Sequence, residues 1–205
     1  MRGDPIYEVP LNRIDEMADV SADAFIGAND PIGNFMFQNE PEPVALKRRF
    51  FRSLVTTCSP EAVRQGISPS LEAVSIWFPP GRDHSEDEDP DPFRAQDFKD
   101  PGTMARMQAV NDVMATLSAL RGSEPQWYLH LVAVSPEFRN QGYSSRLLRP
   151  MLTRAKKEGL PCTLITQSME NVLKYKSVGF EIVKEMPVPD SQEKFYSMRF
   201  TVNAV

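Results

Sequence analysis

Chemistry in this chain can be built from a glycine-centred polar turn, Arg139-Asn140-Gln141-Gly142-Tyr143-Ser144, from a histidine at position 130 and from a tyrosine at position 175. The turn follows an apolar, aromatic and β-branched run, Tyr128 to Val134, that Ser135-Pro136 interrupts. It precedes a helical stripe at Leu147, Leu148, Met151, Leu152 and Ala155. A helix begins with several backbone N–H groups unpaired and with the positive end of its dipole, which together suit an anion and phosphate in particular. Gly142 lets the backbone approach such a ligand without a Cβ in the way. His130 is one of two histidines, and with an ordinary pKa of about 6.5 it exchanges a proton near neutrality. Strand alternation puts it on the same face as Tyr128. Tyr175 carries a phenol that is neutral at pH 7 and donates one hydrogen bond. Each has a plainer reading: an ordinary strand–helix connection, a satisfied buried histidine, a core tyrosine with its hydroxyl at the surface.

The elements that position these groups can be read from pattern. Ile6–Val9 reads as a strand. A helix capped by Asn12 or Asp15 follows, through Met17, Val20, Ala24 and Phe25. Asp30 to Asn34 reads as a loop, and Phe35-Met36-Phe37 as core or as the wall of a pocket. Val44–Thr57 has a helical face of Leu46, Phe50 and Leu54, with Lys47, Arg48, Arg49 and Arg52 as its solvated side. Glu61–Ile67 and Glu72–Phe78 read as a hairpin. Arg82–Glu124 reads as an insertion: an acidic loop containing His84 and the run Glu86-Asp87-Glu88-Asp89, then a helix from Met104 to Leu120 closed by Gly122. The acidic run is a solvated loop or an electrostatic lure for a cationic amine. The helix after the turn contains Pro150, which predicts a bend. Cys162–Thr166 is a short buried strand, and Glu181–Met186 pairs with Glu193–Thr201 as a terminal hairpin. Gln167 and Asn171 are candidates for polar contacts to a ligand, or Asn171 for the cap of the helix that carries Tyr175.

The 205 residues predict one domain, 1–205, with 41% hydrophobic content sufficient for a core. A net charge of −5 gives no basic footprint for nucleic acid. No stretch reaches transmembrane or signal length, so no membrane partner and a cytoplasmic setting are expected. Cys58 and Cys162 are expected as free thiols, and no metal site is expected. Monomer and homodimer remain open.

The segment Trp127 to Leu148 resembles motif A of the GCN5-related N-acetyltransferases (GNAT), with Arg139-x-x-Gly142-x-Ser144 where that family has Arg/Gln-x-x-Gly-x-Gly/Ala. A second match is Asn171-x-x-x-Tyr175-x-x-x-Gly179-Phe180. The resemblance covers Trp127 to Phe200 well and the first half in outline. It implies an α/β fold (α+β in some schemes) with a mixed sheet of about seven strands, splayed between the fourth and fifth. It implies acetyl-CoA as cofactor, its pyrophosphate held by backbone N–H groups from Asn140 to Ser145, including Gln141, Gly142, Tyr143 and Ser144, with Arg139 and Asn171 nearby. The pantetheine arm would pair with the edge of Val132, Ala133 and Val134. Within the family the chain looks most like the puromycin N-acetyltransferase type, except that Ile165-Thr166 stands where that group has Glu-Thr. His130, ahead of the turn, is similar to a water-relaying histidine of the arylalkylamine N-acetyltransferases.

The implied reaction is attack of a neutral primary amine on the thioester carbonyl. It needs a proton acceptor for the amine and gains from a donor to the departing thiolate. Tyr175 is the acid candidate, beside the sulfur in the resembled family, and His130 the base. Three functions follow: an N-acetyltransferase for a small-molecule amine, a protein or peptide N-acetyltransferase, and an inactive coenzyme A–binding module.

Overall fold

The computed structural model describes residues 6–26, 30–81 and 93–202. His84 and the acidic run at 86–89 lie outside the described residues. A seven-stranded sheet runs in the order β1-β2-β3-β4-β5-β7-β6. Its strands are β1 (Tyr7–Glu8), β2 (Val63–Gly66), β3 (Ala73–Phe78), β4 (Trp127–Val134), β5 (Cys162–Thr166), β6 (Glu181–Pro187) and β7 (Lys194–Phe200). Every pairing is antiparallel except β4 with β5, which is parallel. This is the mixed α/β architecture expected from the sequence.

The parallel pair is short. It joins Trp127 to Cys162, Tyr128 to Thr163 and Leu129 to Leu164, and goes no further. Beyond that point β4 continues to Val134 with only β3 beside it, and β5 continues to Thr166 with only β7 beside it. Each strand therefore turns one unpaired backbone edge toward a gap. His130 stands at its start. Leu129 faces Trp77 and Leu131 faces Ile76, so His130 is an extra residue without an opposite number, a β-bulge in β4. The bulge breaks the period of two. Leu129 packs in the core beneath α5 (Tyr143–Glu158), whereas Leu131 packs in the core of the opposite face.

On that opposite face lie α1 (Ile14–Phe25) and α3 (Pro43–Thr56), which bury Met17, Ala18 and Val55 against Val74, Ile76 and Leu131. Next to them α2 (Pro31–Met36) and α4 (Thr103–Ala119) cover β5 and β7, with Phe35, Phe37, Val110 and Leu117 packed near Ile165 and Phe195. The face under α5 also carries α6 (Met169–Lys176), whose Val172 and Tyr175 pack with Phe180 and Phe200.

Three expectations are corrected. Residues 31–36 are helical: Asp30 accepts a hydrogen bond from the Gly33 N–H at 2.9 Å, and Pro31 supplies a fixed φ at the first turn. Lys47 is buried at 4% exposure because its ammonium turns inward to Asn34 Oδ1 and lies 3.8 Å from Asp30. Ser168, not Asn171, caps α6, accepting from the Asn171 N–H at 3.2 Å. Pro150 sits inside α5, which continues on both sides of it. Both cysteines are free and buried. No helix among the described residues is long and apolar enough to cross a membrane.

Candidate active site

The gap between β4 and β5 opens into a cavity of about 1620 Å³, more than the few hundred to about 1,000 Å³ of an ordinary small-ligand pocket. Its lining comes from both faces of the sheet. The α5 side contributes Gly142, Ser144, Ser145, Asn171 and Tyr175; the α3 and α4 side contributes Phe50, Leu54, Met107, Met114, Arg121 and His130. The cavity is thus a passage through the sheet, made possible by the parting of two strands.

At the α5 end, the chain leaves β4 through a 3₁₀ turn at Pro136–Phe138 and reaches Gly142 at φ 76°. Asn140 is also left-handed, at φ 62°. No side chain caps α5, and the N–H groups of Gly142, Tyr143, Ser144 and Ser145 take no hydrogen bond to any described residue. A Cβ at Gly142 would meet nothing within 4 Å, so it would project into open space beside those donors. Four converging amides, a helix dipole and an unobstructed approach fit a diphosphate. Arg139 lines the cavity, and its guanidinium donates to the Ala24 carbonyl at 2.7 Å, tying the turn to the end of α1. Gln141 points outward, 3.4 Å from the Glu137 carbonyl, and does not line the cavity. Tyr143 lines it, its ring packed 6.1 Å from that of Phe138. The free edge of β4 at Val132, Ala133 and Val134 borders the same space.

Tyr175 lies against Phe180, ring centroids 5.8 Å apart. Burial holds its phenol well above the ordinary tyrosine value, and Tyr128 adds to the effect, so it keeps its proton throughout the neutral range. His130 lies on the other face, its ring 5.0 Å from Phe78 and 6.2 Å from Tyr128. Its Nε2 is 3.0 Å from the Leu54 carbonyl. A carbonyl only accepts, so Nε2 carries the proton and Nδ1 offers a lone pair. Burial lowers the His130 pKa to about 4, the Leu54 bond raises it, and the Arg121 charge lowers it further. The imidazole is neutral at pH 7.

The structure brings His130, Tyr175, Arg139, Asn140, Gly142–Ser145, Asn171 and the β4 edge to one cavity. Sequence reasoning missed Arg121, whose guanidinium carbon lies 4.1 Å from the Tyr128 ring centroid; it has no sequence signal, following a predicted helix as a surface residue would. Of Phe35-Met36-Phe37, read as core or pocket wall, Met36 alone lines the cavity. Among the described residues no group of three or more His, Cys, Asp or Glu could hold a metal.

Comparison with known proteins gives a family and a fold. Residues 71–180, a little over half the chain, match the family described as Acetyltransferase (GNAT) family. Among solved structures, a Corynebacterium glutamicum protein titled histone acetyltransferase HPA2 and related acetyltransferase is 20% identical over 98% of this chain and 97% of its own, with a TM-score of 0.63. A mosquito arylalkylamine N-acetyltransferase-like protein, 5b, is 15% identical over 95% and 98%, TM-score 0.58. The Drosophila melanogaster polyamine N-acetyltransferase is 15% identical over 96% and 99%, TM-score 0.58.

Proposed function

The chain belongs to the acetyltransferase (GNAT) family, and from that premise we propose that it transfers the acetyl group of acetyl-CoA to a primary amine of a small molecule. The observation that carries this reading is the passage through the sheet, with unpaired amides and a protonated phenol on one face and a neutral imidazole on the other. Acetyl-CoA supplies an activated acyl carbon and a thiolate leaving group. The amides of Gly142 to Ser145, with the positive end of α5, hold the diphosphate. The unpaired edge at Val132–Val134 offers backbone groups to the pantetheine arm. Tyr175 keeps a proton on its hydroxyl for the departing sulfur. The amine attacks in its neutral form, and His130 Nδ1, through water, receives the proton that the nitrogen sheds as it becomes bonded to the acyl carbon, while Leu54 fixes the tautomer.

A small acceptor is supported by the walls of the α3–α4 half: Met36, Phe50, Met107 and Met114 close it with apolar surface from three helices. Similar folds in proteins titled arylalkylamine and polyamine N-acetyltransferases point the same way, as does the likeness of the second half to the puromycin-type group. That group's Glu at the end of the fifth strand is replaced by Ile165, so the proton route here runs through His130. Protein acetyltransferases also share the fold, but their acceptors need an open groove. The test is a panel of amines screened for thiol release from acetyl-CoA. Turnover of small amines supports the reading; turnover of peptides alone, or of nothing, contradicts it.

A further inference from the structure

We propose that Arg121 anchors a carboxylate on the acceptor, so that the amine acetylated carries an acidic group beside an apolar body. The inference rests on the acetyl-transfer reading and names its substrate class. It starts from the charges that line the cavity. Glu124 is paired with Arg199 at 3.0 Å, and Glu170 with Lys174 at 2.7 Å. Asp30 is buried at 1% exposure with Lys47 3.8 Å away, and its unbonded Oδ2 is itself sealed from solvent. Asp112, which also lines the cavity, is exposed and accepts from Gln108 at 2.7 Å. Of the cations, Lys174 has Glu170, and Arg139 donates to the Ala24 carbonyl from the turn before α5, where the diphosphate is proposed.

Arg121 differs in its place, on the α3 and α4 side of the cavity with His130. Its Nε donates to the Ser118 carbonyl at 3.2 Å and its plane lies 4.1 Å over the Tyr128 ring. No carboxylate among the described residues pairs with it. A guanidinium carries five N–H donors in a planar fork, and the Ser118 bond uses one. The rest, held in orientation by stacking on Tyr128, suit bidentate capture of a carboxylate. Arg121 also stands at the reacting end of the acceptor half, since Tyr128 lies 6.2 Å from His130. Its field reaches that histidine and weighs against protonation there. The same half carries apolar surface from Phe50, Met107, Met114 and Phe195, with Gln108 and Asn111 of α4 among its polar lining. An acceptor that satisfies both halves of this chemistry has a hydrophobic body with the carboxylate near the reacting amine, as an aromatic or aliphatic amino acid does.

The test uses matched pairs that differ only by the carboxylate: phenylalanine against phenethylamine, and norleucine against pentylamine. With the parent protein, kcat/KM should favour the carboxylated member by about 10- to 100-fold, the range of one charge-assisted hydrogen-bonded contact. In Arg121→Gln that ratio should collapse toward one through a rise in KM for the carboxylated member. Arg121→Lys, which keeps the charge without the fork, should retain part of it and guards against a folding defect in the first variant. A parent that favours the plain amines, or a Gln variant that keeps the parent's ratio, overturns the anchor while leaving acetyl transfer intact. A second readout is independent of turnover: calorimetric binding of N-acetylphenylalanine in the presence of coenzyme A. It should weaken at least about tenfold in Arg121→Gln; equal binding overturns the proposal. Loss of binding in a protein that acetylates no amine would uphold the anchor and sink the transfer reading instead.

Discussion

Tyr175 and His130 approach one gap from opposite faces of the sheet, and their environments push them toward different tasks. Burial stabilises the neutral forms of both, so the phenol keeps its proton and the imidazole stays without a second one. Tyr175→Phe removes a donor and leaves the ring packing on Phe180. It should lower kcat by about a hundredfold, at the lower end of what a general acid contributes, with acetyl-CoA affinity nearly unchanged by calorimetry. A variant as fast as the parent on every amine would exclude Tyr175 as the acid. His130 has a consequence for stability as well. The unfolded chain takes up a proton at about pH 6.5, whereas the folded histidine resists until about pH 4. Acidification through that window therefore favours unfolding, and stability rises with pH between those limits. By linkage the depression corresponds to roughly 3 kcal/mol once pH falls to 4. His130→Gln should lose less stability than the parent between pH 7 and pH 4.5 in denaturant titrations. Equal losses would contradict the buried, neutral imidazole.

At the scale of elements, the turn before α5 is the clearest example of sequence dictating structure. Gly142 has to adopt φ 76°, a left-handed conformation that costs other L-residues about 1–2 kcal/mol. A Cβ there meets no protein atom. Gly142→Asp should thus fold, with a modest fall in melting temperature, yet lose acetyl-CoA binding through bulk and like charge at the diphosphate site. A large loss of stability with binding retained would mean that the glycine serves the fold alone. This segment was legible because glycine, proline and a helical stripe each have a local cause. The strand Tyr128–Val134 was legible from its β-branched run and the helices α1, α3 and α5 from periodicity, whereas its open edge at Val132–Val134 was implied by the family resemblance alone. The bulge at His130 was not, since an extra residue in a ladder depends on how Trp77 and Ile76 register with β4. The loop reading of Asp30 to Asn34 fails because Pro and Gly suggest punctuation, while the Asp30 cap and the burial of Phe35 and Met36 decide for a helix over Pro31–Met36. Lys47 was misread because a cation on a helix reads as solvated until a buried carboxylate appears beside it.

At the scale of the molecule, two strands pair for three residues and then part, and the proposed reaction uses the passage this opens through the sheet. The segment between β3 and β4 completes one end of it. Glu40 secures that segment, accepting from the N–H groups of Lys99 and Asp100 at 3.0 and 3.2 Å and from the Thr103 hydroxyl at 2.6 Å. Glu40→Ala should release it: amide exchange across 95–106 should quicken and KM for the amine rise, with acetyl-CoA affinity retained. Unchanged exchange would show that the apolar face of α4 and the Arg106 bonds to the Met36 and Gln38 carbonyls hold the segment without Glu40. The most direct test of the whole account is a crystal structure grown with coenzyme A. The diphosphate is predicted on the amides of Gly142 to Ser145, the pantetheine arm along Val132–Val134, and the sulfur beside the Tyr175 hydroxyl. A ligand bound elsewhere, with the 142–145 turn facing empty solvent and side chains filling the gap between β4 and β5, would contradict it.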